Sequence, residues 1–179
     1  LPTHSAVQTR GGTTIDPSPP LERSVRRELD AVIGEYRQTA AAYSPATAIL
    51  WERIGTALEG GKLTRPRLAM LGHEAFGGRD TRRVITLGFA FELLHGSLLM
   101  HDDVIDRDFT RRGRPTLSAH YRDEALAQGK SPADAEHAGH AAAIIAGDLL
   151  LAASIKLALK AAGSLPAAAA IEHSLHQAI

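Results

Sequence analysis

Apolar residues recur along the chain with helical spacing, and period-two alternation is nowhere sustained, so the pattern predicts an all-α protein of successive helices. From Leu21 to Tyr43, Val25, Leu29, Val32, Ile33 and Tyr36 fall on one face, with arginines and glutamates opposite. Pro45 opens a second helix running through Leu58, and Gly60-Gly61 breaks it. Thr64 is the expected cap of a third, which tolerates Pro66 in its first turn and ends at Gly77-Gly78. Thr81 to about Asp106 reads as a long central helix. Leu117 to Gln128 reads as a shorter one, and Ser131-Pro132-Ala133-Asp134 starts a segment ending near Ala162. Gly163 and Pro166 then separate a last helix, from Ala167 to Ile179, that lacks a stop signal and so suggests a larger domain. No internal repeat is visible.

The first twenty residues, ending Pro17-Ser18-Pro19-Pro20, have no hydrophobic signal core and read as a disordered leader, leaving 21–179 as the N-terminal part of one domain. With 44% hydrophobic residues among 179, the chain can bury a core. Lysine plus arginine equals aspartate plus glutamate at 20 each, so no global basic field points to nucleic acid. The absence of cysteine excludes disulfides and thiolate chemistry and fits a cytoplasmic location. The run from Ala141 to Gly163 is the most apolar, but Asp148, Lys156 and Lys160 interrupt it, so a buried helix is expected rather than a membrane span.

The chemistry concentrates where the central helix ends. Asp102 and Asp106 stand one helical turn apart on one face, with Asp103 rotated by about 100°. Two carboxylates so spaced can share hard divalent cations such as magnesium, whose open positions a diphosphate can fill. Just beyond, in Arg111-Arg112-Gly113-x-Pro115-Thr116, glycine and proline fix a turn that can aim the Arg111 and Arg112 guanidinium forks either at phosphate oxygens or into ion pairs with Asp106 and Asp108. A second basic site, Gly60-Gly61-Lys62-Leu63-Thr64-Arg65-Pro66, precedes a helix whose free amides and dipole favour an anion, although it lacks the spacing of a nucleotide-binding loop. His95, seven residues before Asp102, is expected on nearly the same face, roughly 10 Å deeper. His101 is read as structural, and Glu92, deep in an apolar helix, should have a buried partner.

Together, Gly-Gly-Lys-x-x-Arg-Pro, His95 seven before Asp-Asp-x-x-Asp, Arg-Arg-Gly-x-Pro-Thr, and Ala143 to Leu150 (Ala-Ile-Ile-Ala-Gly-Asp-Leu-Leu) resemble the trans-polyprenyl diphosphate synthases. The resemblance implies the isoprenoid synthase fold, a helical bundle around a central cavity. It also implies a prenyltransferase that condenses an allylic prenyl diphosphate with isopentenyl diphosphate. On that reading the catalytic residues are Asp102, Asp103 and Asp106. Asp102 and Asp106 hold Mg2+ on the allylic diphosphate with Asp103 supporting, and Arg111 binds the same group. Lys62, Arg65, His95 and Arg112 hold isopentenyl diphosphate. A homodimer is expected when the protein is full length.

The chain departs from the family in three respects. Leu63 stands where a basic residue is usual, the second aspartate-rich motif is absent, and family members are much longer. The chain alone is therefore expected to be inactive. Leu98 and Ser97, four and five positions before Asp102, are not aromatic, and Phe91 is the first large ring on that face, about 16 Å down the helix, which points to a product of about C20 or longer. Two competing readings are a non-catalytic, diphosphate-binding synthase-like subunit and a His-Asp metal phosphohydrolase using His73, His95 and His101-Asp102.

Overall fold

The computed structural model describes residues 20–163 and 166–177; the expected leader lies outside the described residues apart from Pro20, which opens the first helix. Among the described residues seven helices follow one another: α1 (Pro20–Ala41), α2 (Pro45–Leu58), α3 (Thr64–Ala75), α4 (Thr81–Ile105), α5 (Leu117–Ala127), α6 (Pro132–Ala162) and α7 (Ala168–Gln177). The helical class and every helix expected from periodicity are present.

Local chemistry sets most of the boundaries. Ser44, Asp80, Thr116 and Ser131 each accept a backbone amide at the start of α2, α4, α5 and α6, satisfying donors that a helix start leaves unpaired. Helix α3 is the exception. Its N-cap is Leu63, in the left-handed region (φ 48°), with no side-chain cap, so Thr64 is the first helical residue and not the expected cap.

Helices α4 and α6 form the central pair. Both are long and apolar enough to cross a membrane by composition, yet they pack on each other, and 56% and 44% of their apolar stretches are buried inside the fold. Small residues bring the layers together. A Cβ on Gly96 would meet Leu58 Cδ2 at 2.6 Å, so the last residue of α2 seats its side chain on α4, and a Cβ on Gly139 would strike the Ser118 carbonyl, where α5 docks on α6. Helices α1 and α2 pair at one side, where Tyr36 stacks on Trp51 (centroids 4.4 Å apart), and α3 lies along α4. Ile54, Phe89, Leu93 and Leu150 are fully buried at the centre.

The one departure from an all-helical reading is a two-residue hairpin, β1 (Thr110–Arg111) and β2 (Arg114–Pro115), paired antiparallel. Period two cannot reveal strands this short. The turn between them has positive φ at both Arg112 (52°) and Gly113 (74°), which matches the right-handed twist of a tight hairpin.

Candidate functional site

A cavity of about 780 Å³ lies between the ends of α2 and α3, the outer half of α4, the hairpin and the start of α5. Lys62, Arg65, His95, Asp103, Arg111 and Arg112 all line it, joined by Glu92, Arg53, Arg114 and His120. Residues as far apart in the sequence as Arg53 and His120 thus share one concave surface.

Each wall has a local cause. Gly60 takes positive φ (77°) after α2, and the chain then crosses to α4 and turns through left-handed Leu63 into α3. With no side chain capping α3, the amides of Thr64 and Arg65 stay available at the cavity edge, a disposition that favours an anion. Pro66 is seated on Gly88, where a Cβ would meet Pro66 Cα at 2.7 Å, and this contact holds Arg65 beside α4. Leu63 is 7% exposed within the hydrophobic core, so the position expected to weaken the anion pocket through a missing basic residue is instead an apolar anchor for the turn.

Helix α4 ends without glycine. Arg107 takes φ 57°, while Asp108 N–H donates to the Asp103 carbonyl (2.7 Å) and Arg107 N–H to that of Val104 (3.2 Å), a Schellman-type end normally built on glycine. Leu63, Arg107 and Arg112 are the non-glycine residues with positive φ among the described residues, and Leu63 and Arg112 line the cavity. Such backbone costs of order 1 kcal/mol each and tends to gather at functional sites.

The hairpin sends Arg111 and Arg112 in different directions. Arg111 Nε donates to Asp103 Oδ1 at 2.6 Å, and its Nη2 reaches the same oxygen at 2.6 Å and Asp102 Oδ2 at 3.3 Å. Ion pairing with Asp106 and Asp108, the alternative left open by the sequence, is not how Arg111 is used. Asp103 is buried. Its burial pushes the carboxyl above the usual aspartate range, and the Arg111 hydrogen bond opposes that push. Arg112 is exposed, with neither an ion pair nor a hydrogen bond to a described residue, and it turns toward the Glu92 and His95 side. Lys62 is likewise exposed and unpaired among the described residues.

His95 is half-buried. Burial, then the positive charges of Arg65, Arg112 and Arg111, hold its imidazole below the ordinary histidine value. A neutral ring can still donate one hydrogen bond to an anion. His95 stands seven residues before Asp102 on the unbroken helix α4 and so keeps the expected alignment with that aspartate. The cavity follows the stripe Glu92, Gly96, Leu99 and Asp103, spaced four, three and four residues apart, with His95 at its edge. Asp102 and Asp106 lie outside the lining, on the neighbouring face of α4, both exposed. That face also carries Leu98 (45% exposed) and Ile105 (78%), and α6 exposes Ile144 and Ile145.

His101 is structural, as read: its Nε2 lies 3.3 Å from the Ile144 carbonyl and 3.4 Å from Asp148, in a space that only Gly147 leaves open. This accounts for the glycine and aspartate of the Ala143–Leu150 motif. The histidines do not converge on a metal, and among the described residues no group of three or more histidine or acidic side chains is poised to hold one, which removes the phosphohydrolase arrangement. Sequence reasoning missed Arg53, Arg114 and His120 in the cavity wall. For Glu92 the only signal was an ionisable residue within an apolar helix, three positions before His95.

Comparisons with known proteins bear on the family and the fold. A family model described as polyprenyl synthetase matches residues 48–179. The geranylgeranyl diphosphate synthase of Sulfolobus acidocaldarius is 36% identical over 107 residues, 60% of this chain and 27% of that protein. Component 2 of the heptaprenyl diphosphate synthase of Geobacillus stearothermophilus is 47% identical over 60 residues, 34% of this chain and 18% of that protein. Among solved structures, a geranylgeranyl pyrophosphate synthase from Corynebacterium glutamicum, complexed with isoprenyl diphosphate and magnesium, superposes with a TM-score of 0.74 at 27% identity. The superposition covers 83% of this chain and 43% of that one. The chain therefore spans less than half the length of these relatives, while the family match covers most of its own helices, cavity and aspartate pair: it belongs to the polyprenyl synthetase family.

Proposed function

We propose that this chain supplies one substrate pocket and one metal-binding wall of a prenyltransferase that condenses an allylic prenyl diphosphate with isopentenyl diphosphate. The observation that carries the reading is the convergence of Lys62, Arg65, His95 and Arg112 on a cavity bordered by the uncapped start of α3. These are donors for a diphosphate that needs no metal. Isopentenyl diphosphate is held there, and its alkene is oriented for attack.

The exposed aspartate pair serves the second substrate. Asp102 and Asp106 offer only oxygen donors, one turn apart and open to solvent, a set that fits magnesium with substrate phosphate completing the coordination. Magnesium bound there supplies neutralisation of the charge that develops on the departing diphosphate. Arg111, braced by Asp103, contributes a fixed positive charge to the same group. Asp103 is thus a positioning residue for Arg111, a finer role than general support. The apolar strip beside Asp102 gives the prenyl tail a surface to follow. On that strip Leu98 is exposed, whereas Ser97 is 1% exposed and turned into the core, so Leu98 alone of the two bears on chain length. With no aromatic before Phe91, about three helical turns below Asp102, a product of about C20 or longer is favoured.

The isolated 179-residue polypeptide is inactive in this proposal, because its aspartate wall has no described opposing wall of metal ligands. The full-length protein acts as a cytoplasmic homodimer. A second reading, a non-catalytic diphosphate-binding subunit, draws support from the Geobacillus relative, which is itself named as one component of a synthase. The gene sequence beyond Ile179 and assays of the extended polypeptide separate the two. Formation of long prenyl diphosphates by the extended chain supports the enzyme, and turnover by the 179-residue chain overturns its inactivity. Failure of isopentenyl diphosphate to bind without metal removes the reading altogether.

A further inference from the structure

Glu92 stands out in a cavity otherwise suited to anions. Its side chain is 17% exposed, and Oε2 is buried without a hydrogen bond. The nearest cation, Arg65 Nη1, is 4.0 Å away, an ion pair too long for a hydrogen bond. Oε1 faces Gly61, where a Cβ would come within 3.4 Å. The carboxyl is therefore enclosed by the Gly60-Gly61 loop, Arg65 at the start of α3, His95 one turn along α4 and Arg112 from the hairpin, with Arg26 of α1 lining the crevice behind it.

A carboxylate in this place opposes the binding of a diphosphate, and a buried acceptor without a partner is costly. Both features make sense if the group has two states. We propose that Glu92 is the built-in counter-anion of the pocket: in the empty site its carboxylate faces Arg65 where a phosphate oxygen will sit, and it takes a proton from solvent when a diphosphate claims the cations.

Two electrostatic facts agree. Burial raises the Glu92 carboxyl above the usual glutamate value, and only the charges of Arg65 and Arg112 oppose this. A diphosphate engaging those two cations cancels the opposing influence and adds negative charge nearby, so the acid form gains. Glu92 is then a positioning residue: it keeps Arg65 at the pocket while the site is empty and withdraws its charge when the site fills. This rests on the diphosphate reading above.

The test is calorimetric titration of the 179-residue chain with inorganic pyrophosphate, without metal, in buffers of differing ionisation enthalpy, which counts protons exchanged on binding. His95 and pyrophosphate also titrate, so the comparison is between wild type, Glu92→Gln and His95→Gln. The expected result is that Glu92→Gln takes up fewer protons than wild type by a measurable fraction, while His95→Gln keeps the Glu92 share. Over pH 5 to 8 wild-type affinity should also fall more steeply than that of Glu92→Gln, by about tenfold for each unit by which binding shifts the carboxyl. Equal proton counts and equal pH slopes in wild type and Glu92→Gln overturn the proposal while leaving the diphosphate reading intact. Absence of pyrophosphate and isopentenyl diphosphate binding to wild type overturns both. Should Glu92→Gln fail to fold, Glu92→Met removes the acid with a side chain of similar length, and an unchanged proton count and slope there likewise overturn the proposal.

Discussion

The two anion-handling regions of this chain are built differently. The basic pocket is assembled from three stretches of chain, 53–65, 92–103 and 111–120, is concave, and carries Lys62 and Arg112, unpaired among the described residues, beside the start of α3. The aspartate pair comes from a single helix end, is exposed, and looks onto an uncovered apolar strip. One region lines a cavity, whereas the other faces solvent. Asp103 marks the boundary: adjacent in sequence to Asp102, it turns into the cavity and holds Arg111, which reaches both aspartates. A helix advances by about 100° per residue, so neighbouring carboxylates acquire different surroundings and different tasks.

The sharpest way to break the comparison is to remove the pocket's cations. Lys62→Ala or Arg65→Ala should each weaken metal-free pyrophosphate binding by about 10- to 100-fold, as for loss of a charge-assisted hydrogen bond of about 1.5–3 kcal/mol. Unchanged affinity in calorimetry would mean that the cavity is not the anion site.

Gly88→Ala should act on the same pocket from behind, pushing Pro66 away and displacing Arg65. A loss of about 1–3 kcal/mol is expected in urea unfolding, with weaker pyrophosphate binding in the protein that remains folded. Arg111→Ala should cost about 1–2 kcal/mol because it leaves the buried Asp103 without its hydrogen-bond partner. Arg111→Lys should recover only part of this, since a single ammonium cannot reproduce the guanidinium fork.

Asp102→Asn tests the opposite region. Without metal it should alter pyrophosphate affinity by less than about threefold, because an exposed charge outside the cavity is screened, and it should abolish any gain in affinity that magnesium confers. A large metal-free effect would merge the two regions into one.

The smallest effects concern pH. His95 is depressed in the folded chain, so its contribution to stability is present above 6.5, its unfolded value, and is lost as pH falls through the folded value. Glu92 is raised, so its contribution is present below 4.5 and is lost as pH rises through its folded value. His95→Gln should flatten the first change and Glu92→Gln the second in thermal unfolding followed across pH 4 to 8 at fixed ionic strength. A pH response that survives both substitutions would locate it elsewhere, first at the buried Asp103, whose carboxyl burial also raises.

How much was legible in the sequence depends on the range of the interaction. Helices α1 to α7 could be read because periodicity and end signals are local, and Ser131 and Pro45 carry their meaning within a few residues. The motif residues could be read as chemistry for the same reason. The hairpin could not, since its strands are two residues long and its positive-φ positions include an arginine. Nor could the cap of α3, where Thr64 looked suitable but Leu63 turns the chain to gain burial in the core.

The sequence by itself determined the helices, the family's motifs and the two kinds of charge. Only tertiary packing decided that the cavity follows Glu92 and Asp103 rather than Asp102 and Asp106, that Arg111 and Arg112 part company, and that His101 belongs to α6. The physical reason is that helix spacing fixes the angles between side chains but not which face a neighbour covers. That choice rests on close approaches at Gly88, Gly96 and Gly147, made between segments far apart in the chain.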